Sequence, residues 1–275
     1  MKLEDIKPGH CFALASQLLA DARGIRDEMG RTEDTRLVPE ITGAEPREVY
    51  FEAIVAWRKA ARLASEVGAE RTGSLPATPH LRDLKPGHVL GLLEAISAQL
   101  AAIKSRLAIP GETKIAAPDL AKQPSDVLAT VLRLNRELSR SLERPFTPSD
   151  VYRVVALASA YATRLGATPP KVEHERRRKP ADCYARLEGC LERAATVIGK
   201  RGGTTLAARG TPPDIAPGDV YDLANLVLGE LAYLHELSKD AQPLHAFEPA
   251  STGHRLPSHV HQLARTLEAQ LATLS

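Results

Sequence analysis

Aromatic residues and cysteines are both scarce in this chain. Phe, Trp and Tyr together make up 4% of its 275 residues, so the core has to be built from leucine, valine, isoleucine and alanine. Such a core leaves little shaped pocket surface. The three cysteines, Cys11, Cys183 and Cys190, show no CxxC spacing. A disulfide framework is therefore not indicated, and we expect buried, unreactive thiols.

An excess of one charge and long apolar runs are also missing. The formal net charge is +2, which is too small to indicate nucleic acid as the partner. No uninterrupted apolar run reaches the roughly 18 residues that a membrane span requires. Because Lys2 and Glu4 stand where a signal peptide would start, a cytoplasmic location is the default expectation. A periplasmic or secreted location stays open if a signal peptide has been removed.

Catalytic signatures are absent as well. The sequence has no HExxH, GxSxG, GxGxxG or EF-hand pattern, and no ExxH pair of the di-iron type. The glycine-containing stretch 199–205, GKRGGTT, lacks the order of a phosphate-binding P-loop and is better interpreted as the end of a helix. We therefore predict no enzymatic activity and no cofactor.

A short motif that begins with proline recurs eight times. Successive copies are 38, 40, 38, 24, 32, 37 and 40 residues apart. Spacing of this size is typical of repeat architectures. The copies begin at Pro8, Pro46, Pro86, Pro124, Pro148, Pro180, Pro217 and Pro257.

Each copy has the features of a helix start. Proline is favoured at the first helical position, where its missing N–H has no intrahelical partner. Two residues later stands Asp, Glu or His, and a carboxylate there meets the positive end of the helix dipole. Thr147 and Asp150 also have the spacing of a capping box.

The residues after each proline predict the packing. Apolar side chains recur 3, 7, 10, 14 and 17 positions later, as at Val220, Ala224, Val227, Leu231 and Leu234. This spacing is typical of helices packed nearly side by side in a bundle. We therefore predict an all-α fold of eight helices.

A longer period joins the helices in pairs. The stretches LEDIKPGH (3–10) and LRDLKPGH (81–88) match at six of eight positions, which indicates four tandem helix pairs. Most linkers are long and rich in proline, so each could return along a helix and leave consecutive helices parallel. The short linker LERPFTP separates two predicted four-helix halves, 1–145 and 146–275, which could also form one continuous domain.

Histidines are the candidate metal ligands. His10, His88 and His259 occupy the place where other copies carry Asp or Glu, and His261 follows closely. Histidine and carboxylate are both metal-ligand types, and equivalent helix ends could converge. The simpler interpretation is an exposed polar position, and we predict no metal site.

Two segments are candidate interaction surfaces. The linker HERRRKP places Arg176, Arg177 and Arg178 in a row, which suits an anionic partner or a solvated loop. Trp57 lies one position past the apolar stripe of its helix, beside Arg58. It therefore either contributes to a contact surface or seals the core.

We expect the chain to be a non-enzymatic helical scaffold whose partner is another protein or a second copy of itself. The alternative is a ligand- or metal-binding bundle that uses the His and Asp residues of the helix starts. An exposed apolar patch would favour the first hypothesis. Bound metal would favour the second.

Overall fold

The computed structural model describes residues 3–36, 40–70, 72–77, 79–111, 114–144, 146–209, 214–238 and 253–274. Eight α-helices lie within these ranges and confirm the prediction of an all-α chain. They are α1 (Pro8–Glu28), α2 (Pro46–Glu66), α3 (Pro86–Arg106), α4 (Pro124–Ser141), α5 (Pro148–Arg164), α6 (Pro180–Lys200), α7 (Pro217–Glu236) and α8 (Pro257–Leu274). The strands β1 (Glu40–Thr42) and β2 (Ala207–Arg209) pair in a small sheet.

Every one of these helices begins at the proline of its motif. The side chain two residues later accepts a hydrogen bond from the backbone N–H of the residue before the proline. In the helices with an acidic residue there, the pairs are Glu45 with Glu48 (2.8 Å), Gln123 with Asp126 (2.9 Å), Thr147 with Asp150 (2.8 Å), Lys179 with Asp182 (2.7 Å) and Ala216 with Asp219 (2.8 Å). This acceptor satisfies a group just outside the helix and places negative charge at its positive end.

The chain divides into two compact units. Unit 1 comprises Met1–Pro145 with Ala208–Pro212, and unit 2 comprises Phe146–Ala207 with Pro213–Ser275. Each unit holds a four-helix bundle, so the predicted bundle packing is confirmed. In unit 1, α1 and α2 each pack against both α3 and α4. In unit 2, α5 and α6 each pack against both α7 and α8.

The helices of unit 1 are parallel. Their four starting prolines line one shallow pocket together with Cys11, Val49, Val89 and Val127. At the other end, Arg26 of α1 bonds to Glu137 of α4 at 2.6 Å, and Arg106 of α3 donates to the carbonyl of Gly68 just after α2. All four helices therefore start at one end of the unit and finish at the other.

Contacts between equivalent helix ends show that the helices of unit 2 are also parallel. The thiol of Cys183, in the first turn of α6, donates to the carbonyl of Pro257 at the start of α8. The N–H of Arg255, just before α8, donates to Ser149 at the start of α5. At the far end, the rings of Tyr161 and His235 lie 5.3 Å apart and join α5 to α7.

The connection after α3 crosses the start of α1. A methyl group added at Gly9 would lie 2.1 Å from the carbonyl oxygen of Asp119, so only glycine permits this approach. Nearby, the ammonium of Lys122 lies 4.7 Å from the centre of the Phe12 ring. The residues that lead into α4 are therefore packed against α1.

The core of unit 1 includes α3, whose Leu92, Leu93, Ile96, Leu100 and Ile103 are fully buried. Among the described helices, α3 alone has the length and composition that could cross a membrane, and 44% of its apolar window is buried. This window contains Glu94 and Gln99, so it is not the uninterrupted apolar run that the sequence lacks. Core helices satisfy the same criterion, so the finding is weak support for a membrane span.

Candidate functional site

Histidine replaces the acidic residue at three helix starts, and it makes the same hydrogen bond. Its Nδ1 accepts from the backbone N–H of the residue before the proline. The pairs are His10 with Lys7 (3.1 Å), His88 with Lys85 (3.0 Å) and His259 with Leu256 (2.9 Å). An accepting Nδ1 carries no proton, so each bond requires a neutral ring with its proton on Nε2.

A neutral ring also fits the electrostatics, because an imidazolium would be repelled by the positive helix end. The pKa of His259 is lowered from its ordinary value, first by loss of solvent and then by the neighbouring His174 and Arg255. Histidine at this position is therefore a helix cap.

The histidines proposed as metal ligands are not brought together into a binding set. His259 caps α8, while His261, two residues further along, is buried with no hydrogen-bond partner for Nδ1 among the described residues. Residues two apart on a helix point in different directions. His10 and His88 belong to unit 1. Across the described ranges, no three His, Cys, Asp or Glu side chains form a group that could hold a metal ion.

In unit 2, the linker that precedes α6 lies against α8. Gln262 of α8 donates to the carbonyl of Val172 at 2.8 Å, and its side-chain oxygen lies 3.2 Å from Nδ1 of His174. The backbone N–H of Arg178 donates to the hydroxyl of Ser258 at 3.2 Å. The linker is thus fixed to α8 on both sides of Arg176 and Arg177.

Glu175 provides a third attachment. Its carboxylate pairs with Arg178 in the linker and with Arg265 on α8. The hydrogen bond from Arg178 makes the largest contribution to lowering the pKa of Glu175, and the positive charges of Arg178 and Arg265 lower it further. Arg178 also lies 3.7 Å from Asp182 of α6. Arg178, predicted as an interaction residue, is therefore engaged within unit 2.

Arg176 and Arg177 are arranged differently. They form the tip of the bend between Glu175 and Arg178, and both side chains are exposed. The backbone of Arg177 has a φ of 60°, a left-handed conformation that is strained for a residue with a side chain. In the described parts of the chain, neither guanidinium forms an ion pair.

Further basic groups adjoin this tip. The ring of His174 lies 5.1 Å from that of His259, at the start of α8. Arg255, whose charge contributes to the lowered pKa of His259, lies over the ring of Tyr152 at 4.5 Å. We call the following six residues the basic surface: His174, Arg176, Arg177, Lys179, Arg255 and His259.

The potential of the basic surface is positive because its acidic neighbours are largely neutralised. Glu175 is paired with two arginines, and Asp182 caps α6 and lies near Arg178. Only Glu173 is an exposed carboxylate within the linker. The starts of α6 and α8 add the positive ends of two helix dipoles.

The second predicted surface lies on α2 in unit 1. Arg58 is exposed, whereas Trp57 is half-buried and its indole nitrogen has no hydrogen-bond partner among the described residues. The next residue, Lys59, is buried and donates to the carbonyl of Asn135 on α4 at 3.1 Å. Trp57 therefore borders a buried polar contact and exposes only part of its ring.

The cysteines are buried, and burial raises the pKa of all three thiols, to about 12 for Cys11 and Cys183. Cys11 donates to the carbonyl of Pro86 at 3.2 Å. The pocket that Cys11 helps to line has space for little more than one water molecule. This arrangement favours structural thiols over reactive ones.

No family model, curated protein or solved structure is significantly similar to the chain. Sequence reasoning identified the basic run of the linker but missed that the start of α8, with Arg255 and His259, lies beside it. The position of Arg255 just before α8 could have indicated this, once the orientation of the helices was known.

Proposed function

We propose that the chain is a non-enzymatic helical repeat scaffold that binds another protein. Support comes from the uniform helix starts, which build two bundles of parallel helices from one recurring motif. Scaffolds of repeated helical units commonly present extended binding surfaces. Since fold alone does not determine function, the proposal depends on the surface itself.

We take the repeat unit to be a helix pair, present four times. Short 3₁₀ turns at Leu3–Asp5 and Leu81–Asp83 precede α1 and α3 at equivalent places, and support a longer period than one helix. Linkers that return along the bundle are the feature that makes such parallel pairs possible. The attachment of the 171–179 linker to α8 is one instance of this arrangement.

The observation that carries the proposal is the exposed pair Arg176 and Arg177. Two adjacent cations stand at the tip of a bend whose flanking residues are held by bonds to α8. Exposed charge on a fixed backbone contributes to the rate and specificity of protein association. The proposed partner is another protein or a second copy of this chain, rather than nucleic acid or a membrane.

Affinity purification tests the proposal. The purified chain is used as bait, candidate partners are identified by quantitative mass spectrometry, and each is then purified and titrated by calorimetry. We expect at least one partner, or the chain itself, to bind saturably with purified components. Elemental analysis and melting with and without EDTA are done in parallel.

Stoichiometric metal together with a lower melting temperature in EDTA would contradict the scaffold and favour the metal-binding bundle. The scaffold proposal would also be contradicted if none of the captured candidates bound the chain in purified form. Light scattering of the chain alone separates self-association from binding to a different protein.

A further inference from the structure

We propose that the basic surface binds an acidic segment of the partner protein, in extended conformation, with an apolar side chain next to its carboxylates. This inference rests on the proposed function and adds the place and chemistry of binding. It rests on three features: the fixed backbone that carries the arginines, the number of basic groups on this surface, and the exposed apolar side chain beside them.

The cations are preorganised. Glu175 and Arg178 point inward and connect the linker to α8 and α6, which leaves Arg176 and Arg177 at the tip of the bend. A partner therefore gains two guanidinium groups without first ordering the backbone that carries them. Ordering a loop on binding would otherwise reduce the affinity.

The chemistry of these groups favours carboxylates. Guanidinium presents a planar fork of N–H donors that matches the two oxygens of a carboxylate. Neither Arg176 nor Arg177 has a carboxylate partner in the described ranges. By contrast, Arg178 already has Glu175 and Asp182, so it is not available as a primary contact.

The basic surface is formed by two segments of the chain. The linker carries His174, Arg176, Arg177 and Lys179, and the start of α8 carries Arg255 and His259, whose ring lies 5.1 Å from that of His174. A single small anion would neutralise only some of these groups, whereas an extended polypeptide with several carboxylates can contact both segments. Each helix start beneath it adds partial positive charge.

Leu256 supplies an apolar contact at the same place. It directly follows Arg255 and is 50% exposed, one of the few large apolar side chains in the described residues that is so accessible. An acidic segment with one apolar side chain would cover Leu256 and neutralise the neighbouring charges together.

Single-stranded nucleic acid fits this surface less well, because bases need open aromatic faces for stacking. The one tyrosine ring shown beside the surface, that of Tyr152, is covered by Arg255. An anionic bilayer would need several exposed apolar side chains for insertion, whereas among the described residues Leu256 is the one exposed large apolar side chain beside the cations. The acidic polypeptide is thus the partner that the surface favours.

The test is fluorescence anisotropy with a fluorescein-labelled peptide of ten glutamates and one central leucine, titrated with the full chain. We expect saturable binding that weakens at least tenfold in R176E/R177E and about two- to threefold in L256A. The matched control, R164E/K200E, makes the same charge change on exposed residues at the other end of unit 2. Its affinity for the peptide should fall less than twofold. Circular dichroism checks that each variant is folded, and R176A/R177A repeats the test without new acidic groups.

Three outcomes would overturn the inference. They are absence of saturable peptide binding, equal weakening by R176E/R177E and R164E/K200E, and tighter binding of a ten-nucleotide oligothymidine or of phosphatidylserine vesicles than of the peptide. If a purified partner still binds R176E/R177E at full affinity, the inference fails while the scaffold function stands. If the peptide binds as expected but no purified protein does, the proposed function fails instead.

Discussion

The same position in the fourth helix of each unit carries a charged residue in unit 1 and an uncharged residue in unit 2. Glu137 of α4 and Gln270 of α8 each stand thirteen residues after the proline that starts their helix. Glu137 bonds to Arg26 at 2.6 Å and to Arg23 at 3.3 Å, both on α1. Gln270 instead bonds to two uncharged side chains on α5, which are Ser159 at 2.7 Å and Thr163 at 3.0 Å.

The contrast teaches that the helix starts and the apolar stripe determine the arrangement, while the polar layer between helices varies. Unit 1 places a buried ion pair where unit 2 places neutral hydrogen bonds. Both solutions satisfy the polar atoms that are removed from water. Their energetic consequences differ, because an ion pair that loses one member leaves a buried charge.

The largest expected effect comes from breaking the charged member of this comparison. Replacing Glu137 with alanine leaves the buried Arg26, whose side chain is 5% exposed, with the exposed carboxylate of Asp27 as its remaining ion-pair partner. We expect unit 1 to lose about 3 kcal/mol of unfolding free energy. Gln270→Ala should cost unit 2 about 1 kcal/mol, since only neutral groups lose a partner.

Guanidinium titration measures both variants. Fluorescence of Trp57, the single tryptophan, follows unit 1, and circular dichroism follows the whole chain. Equal losses in the two variants would show that the buried ion pair makes no special contribution.

A second comparison uses two helix glycines. Alanine at Gly9 would place its methyl group 2.1 Å from the carbonyl oxygen of Asp119, and we expect a loss of about 2 kcal/mol. Alanine at Gly189 would meet only the movable end of Glu268 at 3.0 Å, so the higher helix propensity of alanine should stabilise unit 2 by up to about 1 kcal/mol. Thermal melts compare the two variants, and the same sign of change in both would refute the close linker contact.

The third comparison concerns the histidine cap of α8. Because the pKa of His259 is lowered in the folded chain, mainly by desolvation, the unfolded chain takes up a proton first as the pH falls. The free energy of unfolding should therefore decrease from about pH 7.5 toward pH 5.5. His235 and His261, whose pKa values are also lowered, act in the same direction.

His259→Asp introduces the residue type that caps α4, α5, α6 and α7. At pH 5.5 its free energy of unfolding should exceed that of the wild type by about 1 kcal/mol. Lys200→Asp, on an exposed residue at the other end of unit 2, is the control and should leave the pH dependence nearly unchanged. Denaturant titrations at several pH values are the measurement. Parallel pH curves for wild type and His259→Asp would contradict the assignment of His259 as a cap.

The smallest effect concerns the thiols of the two units. Since burial raises the pKa of Cys11 and Cys183 to about 12, these thiols should not react with Ellman's reagent at pH 8. When denaturant unfolds the chain, all three cysteines should become reactive. Rapid reaction of either thiol in the folded chain would contradict its placement at the packed helix starts.

Much of this fold could be predicted from the sequence because the signals are local. Proline, an acceptor two residues later and a regular apolar stripe determine where each helix begins and which face it buries. The direction of neighbouring helices could not be derived in the same way. It depends on linker paths such as the contact of Asp119 with Gly9, between residues far apart in the sequence.

The candidate site was only partly predictable for a related reason. Three consecutive arginines look alike in sequence, yet Arg178 turns inward to Glu175 while Arg176 and Arg177 stay exposed. His259 resembles a metal ligand until its Nδ1 is seen to accept from Leu256. In both cases the partner of a side chain, rather than its type, determines its role.

The parallel arrangement of helices is the central claim, and a distance between spin labels tests it most directly. Labels replace the exposed residues Lys85 and Gln123, just before α3 and α4, in a chain whose native cysteines are changed to valine or alanine. We predict about 15–25 Å between them, as for helices across one bundle, and about 30 Å between Lys85 and Arg140 at the end of α4. The reverse order, with Lys85 nearer to Arg140 than to Gln123, would show that α3 and α4 are antiparallel and would contradict the account.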